Sequence, residues 1–173
     1  SDPDNSFLWH FPSKRMEAEI IRDNVLYSAG QLDLSMGGPD IDNAQGLVSK
    51  RRSLYLRSAP EKEVEFLKLF DGPNPNECYL RRPSVMPQQA LALANSQLVT
   101  AQAAILSKTL SEQAKGDADL FIRGAFLRIL ARHATAEELA DCRAFLNDPK
   151  AKPDRARENL ITILFNHNDF VTI

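Results

Sequence analysis

From residue 30 onward the chain is cut repeatedly by helix stop and start signals, and it hardly anywhere alternates apolar and polar residues long enough to build a sheet. Gly30, the run Asp71-Gly72-Pro73-Asn74-Pro75-Asn76, the pair Asn95-Ser96, Gly116-Asp117 and the prolines Pro149 and Pro153 each end one segment and open the next. Such punctuation implies a mainly α fold, an irregular bundle of about seven helices with long connecting loops and at most one short strand pair.

Each segment has its own signals. Ser13 is a candidate N-cap for a helix running to about Ala29 and ended by Gly30. Ala18, Ile21, Val25 and Ala29 share one of its faces and Met16, Ile20 and Tyr27 a second, so this helix is expected at the centre of the fold. Residues 30–50 are rich in Gly, Asp and Asn, with Gly37-Gly38-Pro39 in the middle, and read as a long irregular loop of the kind that often carries function. Ser53-Leu54-Tyr55-Leu56-Arg57 alternates and is the one candidate strand. Ser58-Ala59-Pro60-Glu61 has the form of a capping box opening a helix to about Phe70.

A connector at 77–85 holds Arg81-Arg82-Pro83. Pro87 then opens a short helix to Ala94, and a longer one follows to about Ala114, with Leu98, Ile105 and Leu106 on its buried side. Ile122, Ala125, Phe126 and Ile129 share a face of the next helix, at about 118–132. Thr135-Ala136-Glu137-Glu138 is a second capping box, for a helix to about Asn147. The last helix spans about 154–165, and the apolar, β-prone tail Phe170-Val171-Thr172-Ile173 is expected to dock on the body.

At 173 residues, 43% of them hydrophobic, the chain can bury a core of its own. The expected organisation is a single domain, 1–173, with an extended lead-in at 1–12 and a helical body at 13–173. It opens on Ser1 with no initiator Met, which reads as a piece excised from a larger multidomain protein. A formal charge of −2 supplies no positive field for nucleic acid, and no apolar run has the length of a membrane span.

The residues that bear chemistry form no recognised motif. Cys78 and Cys142 make no CxxC, zinc or CxxCH pattern. Cys142 lies on a stripe with Leu139 and Leu146 and reads as a buried structural thiol, with a Cys78–Cys142 disulfide as the alternative. His10, His133 and His167 are isolated from one another, and His167-Asn168-Asp169 fits neither a triad nor a metal spacing. Asp40-Ile41-Asp42-Asn43 resembles the start of a calcium loop, but Ala44 stands at a ligand position and no Glu closes it. No catalytic or metal residue is assigned, and whether the chain takes part in an enzyme stays open.

Two groups remain. The basic segments Lys50-Arg51-Arg52 and Arg81-Arg82 face available carboxylates Glu17, Glu19 and Asp23 on the first helix. With Arg15 and Arg22 these suggest an internal charge network pinning the connectors to that helix; the functional alternative is an anion site built from Arg51, Arg52, Arg81 and Arg82. Phe7, Trp9 and Phe11 in the lead-in either pack on the body or a neighbouring domain, or stack on sugar rings through Trp9.

Several segments together resemble a known family. Asp2-Pro3-Asp4-Asn5 with Arg15-Met16-Glu17-Ala18-Glu19-Ile20-Ile21-Arg22-Asp23, then Met36-Gly37-Gly38-Pro39, Arg51-Arg52-Ser53-Leu54-Tyr55, Phe70-Asp71 with Pro75-Asn76, Arg81-Arg82 followed by Pro87-Gln88-Gln89-Ala90-Leu91, Thr135-Ala136-Glu137-Glu138-Leu139 and Asn166-His167-Asn168-Asp169-Phe170 are similar, in order, to planctomycete-specific domain one. The resemblance implies a carboxy-terminal domain of unknown function in a large exported protein, often beside a cytochrome c-like domain. The loop between Gly38 and Arg51 looks shorter than is usual there.

The expectation that follows is a non-catalytic interaction or scaffolding module, extracytoplasmic, that contacts neighbouring domains or a partner protein through the lead-in and the 30–50 loop. The alternatives are an accessory part of a redox or polysaccharide-processing active site, and a carbohydrate-binding module. No cofactor is expected in this chain, and haem would belong only to an upstream domain.

Overall fold

The computed structural model describes residues 5–7, 9, 11, 14–59, 63–72 and 87–172. Among them the fold is α-helical: α1 (Ala18–Ser28), α2 (Glu65–Leu69), α3 (Pro87–Asn95), α4 (Gln97–Ala114), α5 (Ala118–Leu130), α6 (Ala136–Leu146), α7 (Pro153–Phe165) and α8 (Asn168–Val171), with 3-10 turns at Asn43–Gln45 and Ser53–Tyr55. No strand occurs among the described residues; their extended backbone pairs as isolated bridges, among them Asp33 with Arg51, Ile41 with Leu56 and Arg15 with Thr172.

Helices α5, α6 and α7 begin where the side-chain chemistry supports a start. Asp117 accepts the amides of Asp119 (2.8 Å) and Leu120 (3.2 Å), which caps α5. At α6 the Thr135 hydroxyl accepts the Glu138 amide while the Glu138 carboxylate accepts the Thr135 amide. Pro153 occupies the first position of α7, where its missing N–H costs nothing. The sharp stop between α4 and α5 uses two left-handed residues in succession, Lys115 (φ 48°) and Gly116 (φ 92°).

The core lies where α4 packs along α7, with α5 against both and α6 covering α5 and α7. Val99, Ile122, Ala125, Ile161 and Phe165 are fully enclosed there. Each buried aliphatic or aromatic side chain contributes about 1.5–3 kcal/mol, so this interior dominates the stability of the fold. On one flank α1 packs against α4, α2 and the turn at Ser53.

Several sequence expectations change. The capping box at Ser58 starts no helix at 59: Ser58 and Ala59 are not helical, and α2 begins only at Glu65. Of the candidate strand at 53–57, Ser53–Tyr55 form a 3-10 turn whose first amide donates to Asp23 of α1, and the extended backbone that follows pairs only with Ile41, as a single parallel bridge. Helix α1 buries one face (Ala18, Ile21, Val25, Leu26) but leaves Ile20 and Tyr27 exposed, so it is not enclosed on two sides. Ile105 faces outward, and Val99, Gln102 and Ala103 complete the buried side of α4 with Leu98 and Leu106. The tail does dock, as a helical turn: Phe170 is buried edge-on against Phe165 with ring centroids 5.1 Å apart, and the Met16 amide donates to the Val171 carbonyl at 2.8 Å.

Candidate functional site

The loop after α1 is held by two adjacent residues of that helix. Arg22 is completely buried. Its Nε donates to the Gly46 carbonyl (2.7 Å), one terminal nitrogen to the Ser49 carbonyl (2.5 Å), and the other to the Arg51 carbonyl (3.0 Å) and the Ser53 hydroxyl (3.2 Å). The next residue, Asp23, accepts the Ser53 amide at 2.8 Å and its hydroxyl at 2.6 Å, and lies 3.3 Å from the Arg22 guanidinium. Burial pushes the Arg22 guanidinium below its ordinary pKa, and Asp23 beside it pulls the other way. A planar fork with five donors suits three carbonyls arriving from different directions, and lysine offers no equivalent geometry.

A second arginine closes the outer part of the loop. The Arg51 guanidinium lies 3.8 Å from the centre of the Tyr55 ring and donates to the carbonyls of Ser35 (3.4 Å) and Gly37. The Tyr55 hydroxyl accepts the Gly37 amide at 2.8 Å. A Cβ on Gly38, whose φ is +93°, would stand 3.1 Å from the Arg51 guanidinium, so glycine fits here on both backbone and packing grounds. Thus Met36-Gly37-Gly38-Pro39 and Arg51-Arg52-Ser53-Leu54-Tyr55, far apart in sequence, meet as one structure. Further out, Asp40 takes Arg57 Nε at 2.5 Å, and this contact holds its carboxyl below the usual range. Asp42 caps the turn at Asn43 by accepting the Ala44 amide at 3.0 Å.

The loop nevertheless shows apolar side chains to solvent: Leu34, Met36, Val48 and Leu54 are all exposed, Met36 by 81%. Phe7, Trp9 and Phe11 of the lead-in are exposed by 87%, 70% and 74%. The lead-in joins the body at Arg15, which hydrogen-bonds the buried Gln89 of α3; Gln89 in turn donates to Asp71 at 3.5 Å.

Of the other charged residues singled out from sequence, Glu17 precedes the first turn of α1, and Glu19 lines a cleft of about 220 Å³ with Ser53, Arg57, Glu63 and Lys68. Arg52 is half-buried and its backbone opens the Ser53 turn. Arg81, Arg82 and Cys78 lie outside the described residues. Cys142 carries a free thiol, half-buried against the core, pushed up by burial and by the nearby carboxylates Glu138 and Asp141. Among the described residues no group of three His, Cys, Asp or Glu side chains is arranged to hold a metal ion. Nor is any helix there long and apolar enough to cross a membrane. His167 is a cap: its Nδ1 accepts the Asp169 amide at 3.1 Å.

The family described as PSD1, a protein of unknown function (DUF1553), matches residues 1–146. The chain belongs to this family. No curated protein and no solved structure matches it. The PSD1 match takes in the lead-in, the pinned loop and α1 to α6, and it ends at the last residue of α6. The core does not end there, since Leu160, Ile161, Leu164 and Phe165 of α7 are buried against α4 and α5. The family description brings no residue roles with it.

Proposed function

We propose that this PSD1 chain is a non-catalytic interaction module of an extracytoplasmic multidomain protein, docking on neighbouring domains or on a partner protein through its lead-in and the 30–50 loop. One observation carries the reading: a fully buried arginine holds an irregular loop in one shape, and that loop then presents Leu34, Met36, Val48 and Leu54 to solvent. Exposed apolar groups on a preorganised frame favour association, because the ordering cost of binding is already met within the fold. Any haem would sit in a companion domain, and this chain would contribute surface.

The test is association with the remainder of the parent polypeptide, expressed separately and titrated by calorimetry. Micromolar binding, lost in Met36→Glu/Val48→Glu and weakened in Trp9→Ser, is the expected result. Absence of binding at about 0.1 mM, or equal binding by all variants, would rule the reading out.

Two alternatives draw unequal support. Arg51 engages the Ser35 and Gly37 carbonyls and the Tyr55 ring, which weighs against its serving as an anion ligand in an accessory active site. The exposure of Trp9 favours the carbohydrate reading more, and glycan-array binding lost in Trp9→Ala would select it.

A further inference from the structure

The loop and the helical bundle are stabilised by different forces. The bundle interior is apolar and closed: Val99, Ala125, Ile122, Ile161 and Phe165 have no more than 1% of their surface exposed. Within residues 33–56 only Gly46, Ser53 and Leu56 are buried. The long-range hydrogen bonds of the inner loop converge on one turn of α1, where Arg22 takes the carbonyls of Gly46, Ser49 and Arg51 and Asp23 takes Ser53. Loop backbone pairing is sparse, with the Asp33 amide donating to Lys50 (2.8 Å), Ile41 to Tyr55 (2.7 Å) and Arg57 to Ile41 (2.9 Å). A segment with little apolar burial and polar ties gathered at one point opens at a lower free energy than a dry core.

We infer that residues 33–56 open and close as one unit, separately from the bundle, and that Arg22 sets the closed state. The three carbonyls it binds run from the turn at Gly46 through Ser49 to Arg51, so its withdrawal releases all three together. Gly46 seats the loop on the body: a Cβ there would stand 2.8 Å from Val64, the residue preceding α2. The unit carries Met36 and Val48, so the inference bears on the proposed docking face and rests on that reading only for its functional consequence.

The experiment is native-state hydrogen exchange on the 173-residue chain and on Arg22→Met and Ser53→Ala. Methionine keeps most of the side-chain volume while removing every donor. Exchange at the Asp33, Ile41 and Arg57 amides should accelerate about 100-fold in Arg22→Met and about 10-fold in Ser53→Ala, with α4 and α7 amides unchanged. Acceleration of loop and bundle together in both variants would show a single cooperative unit and overturn the inference. Unchanged loop exchange in either variant would overturn Arg22 control. The docking reading is judged apart, by calorimetry on the same variants: a loop that loosens without loss of binding leaves this inference standing and removes the loop from the interface.

Discussion

Gly46 shows how closely a single position is specified without any unusual backbone. Its φ lies in the ordinary helical region, yet an added methyl would meet Val64 Cγ1 at 2.8 Å, Val64 Cγ2 at 2.9 Å and the Asn43 carbonyl at 3.0 Å. Gly46→Ala should therefore destabilise by about 1–3 kcal/mol, by overpacking and by shifting the carbonyl that Arg22 Nε reads. Urea unfolding checks this; a change below about 0.5 kcal/mol would mean that Val64 swings away freely. Cys142 gives a second test at this scale. Burial and the carboxylates Glu138 and Asp141 raise its pKa, so its alkylation at neutral pH, followed by peptide mass, should be much slower in the native chain than in urea. The charge network was legible in sequence only in part. Of the residues expected in it, Arg22 and Asp23 lie against the loop while Arg15 bonds Gln89, and carboxylates on α1 gripping loop arginines was the expected polarity. In the structure the principal grip runs the other way, from Arg22 to loop carbonyls. Every residue has a carbonyl, so nothing in the side-chain pattern marks Gly46, Ser49 and Arg51 as acceptors.

At the level of elements, the second half of the chain was readable because its signals are local. Pro87, Asn95-Ser96, Asp117, Thr135 and Pro153 each stand within a residue or two of an actual helix boundary. The first half was less so, since the turn at Ser53 answers to α1, and neither Ser58 nor Ala59 is helical. The α6 start also binds distant elements together. Arg132 donates to both Glu138 oxygens, at 2.9 and 2.7 Å, and its Nε to Asp169 at 2.7 Å, which joins α5, α6 and α8. These bonds hold the Glu138 carboxyl down at about 2, against an ordinary 4.5. The unfolded chain then takes up the proton first as pH falls, so this contribution is complete above about pH 4.5 and is lost between there and about pH 2. Thermal melts from pH 6 to pH 2 should show a smaller acid-induced drop in Glu138→Gln than in wild type, with Glu138→Gln less stable at pH 6. Parallel curves would mean that the Arg132 contacts contribute nothing in solution. Thr135→Ala, which removes the other half of the box, should cost about 1 kcal/mol at pH 6.

Across the whole molecule two groups of apolar residues contrast in burial, apart from single exposed ones on the bundle such as Leu91, Leu120 and Ile163. One closes the bundle and includes the end of the chain: Phe170 is 2% exposed, stacked edge-on against Phe165, and its neighbour Val171 receives the Met16 amide. The other lies toward the amino-terminal side, on the lead-in, the outer face of α1 and the pinned loop, and stays in solvent. If the first population carries stability and the second carries association, substitutions in the two should part company in any assay that reads both. Phe170→Ala leaves a cavity beside Phe165 and should cost about 3–5 kcal/mol. Trp9→Ala removes a larger ring but little buried contact, and should change stability by about 0.5 kcal/mol or less. Urea unfolding followed by circular dichroism reads the helical body directly and is insensitive to loss of the Trp signal. In the same proteins, the proposed binding to the rest of a multidomain parent should fall with Trp9→Ala and persist in Phe170→Ala under conditions where that variant is folded. A cost at Trp9 comparable to that at Phe170 would place the lead-in in the core and remove the physical ground for a docking role, since a surface cannot serve a partner while it is needed to hold the fold.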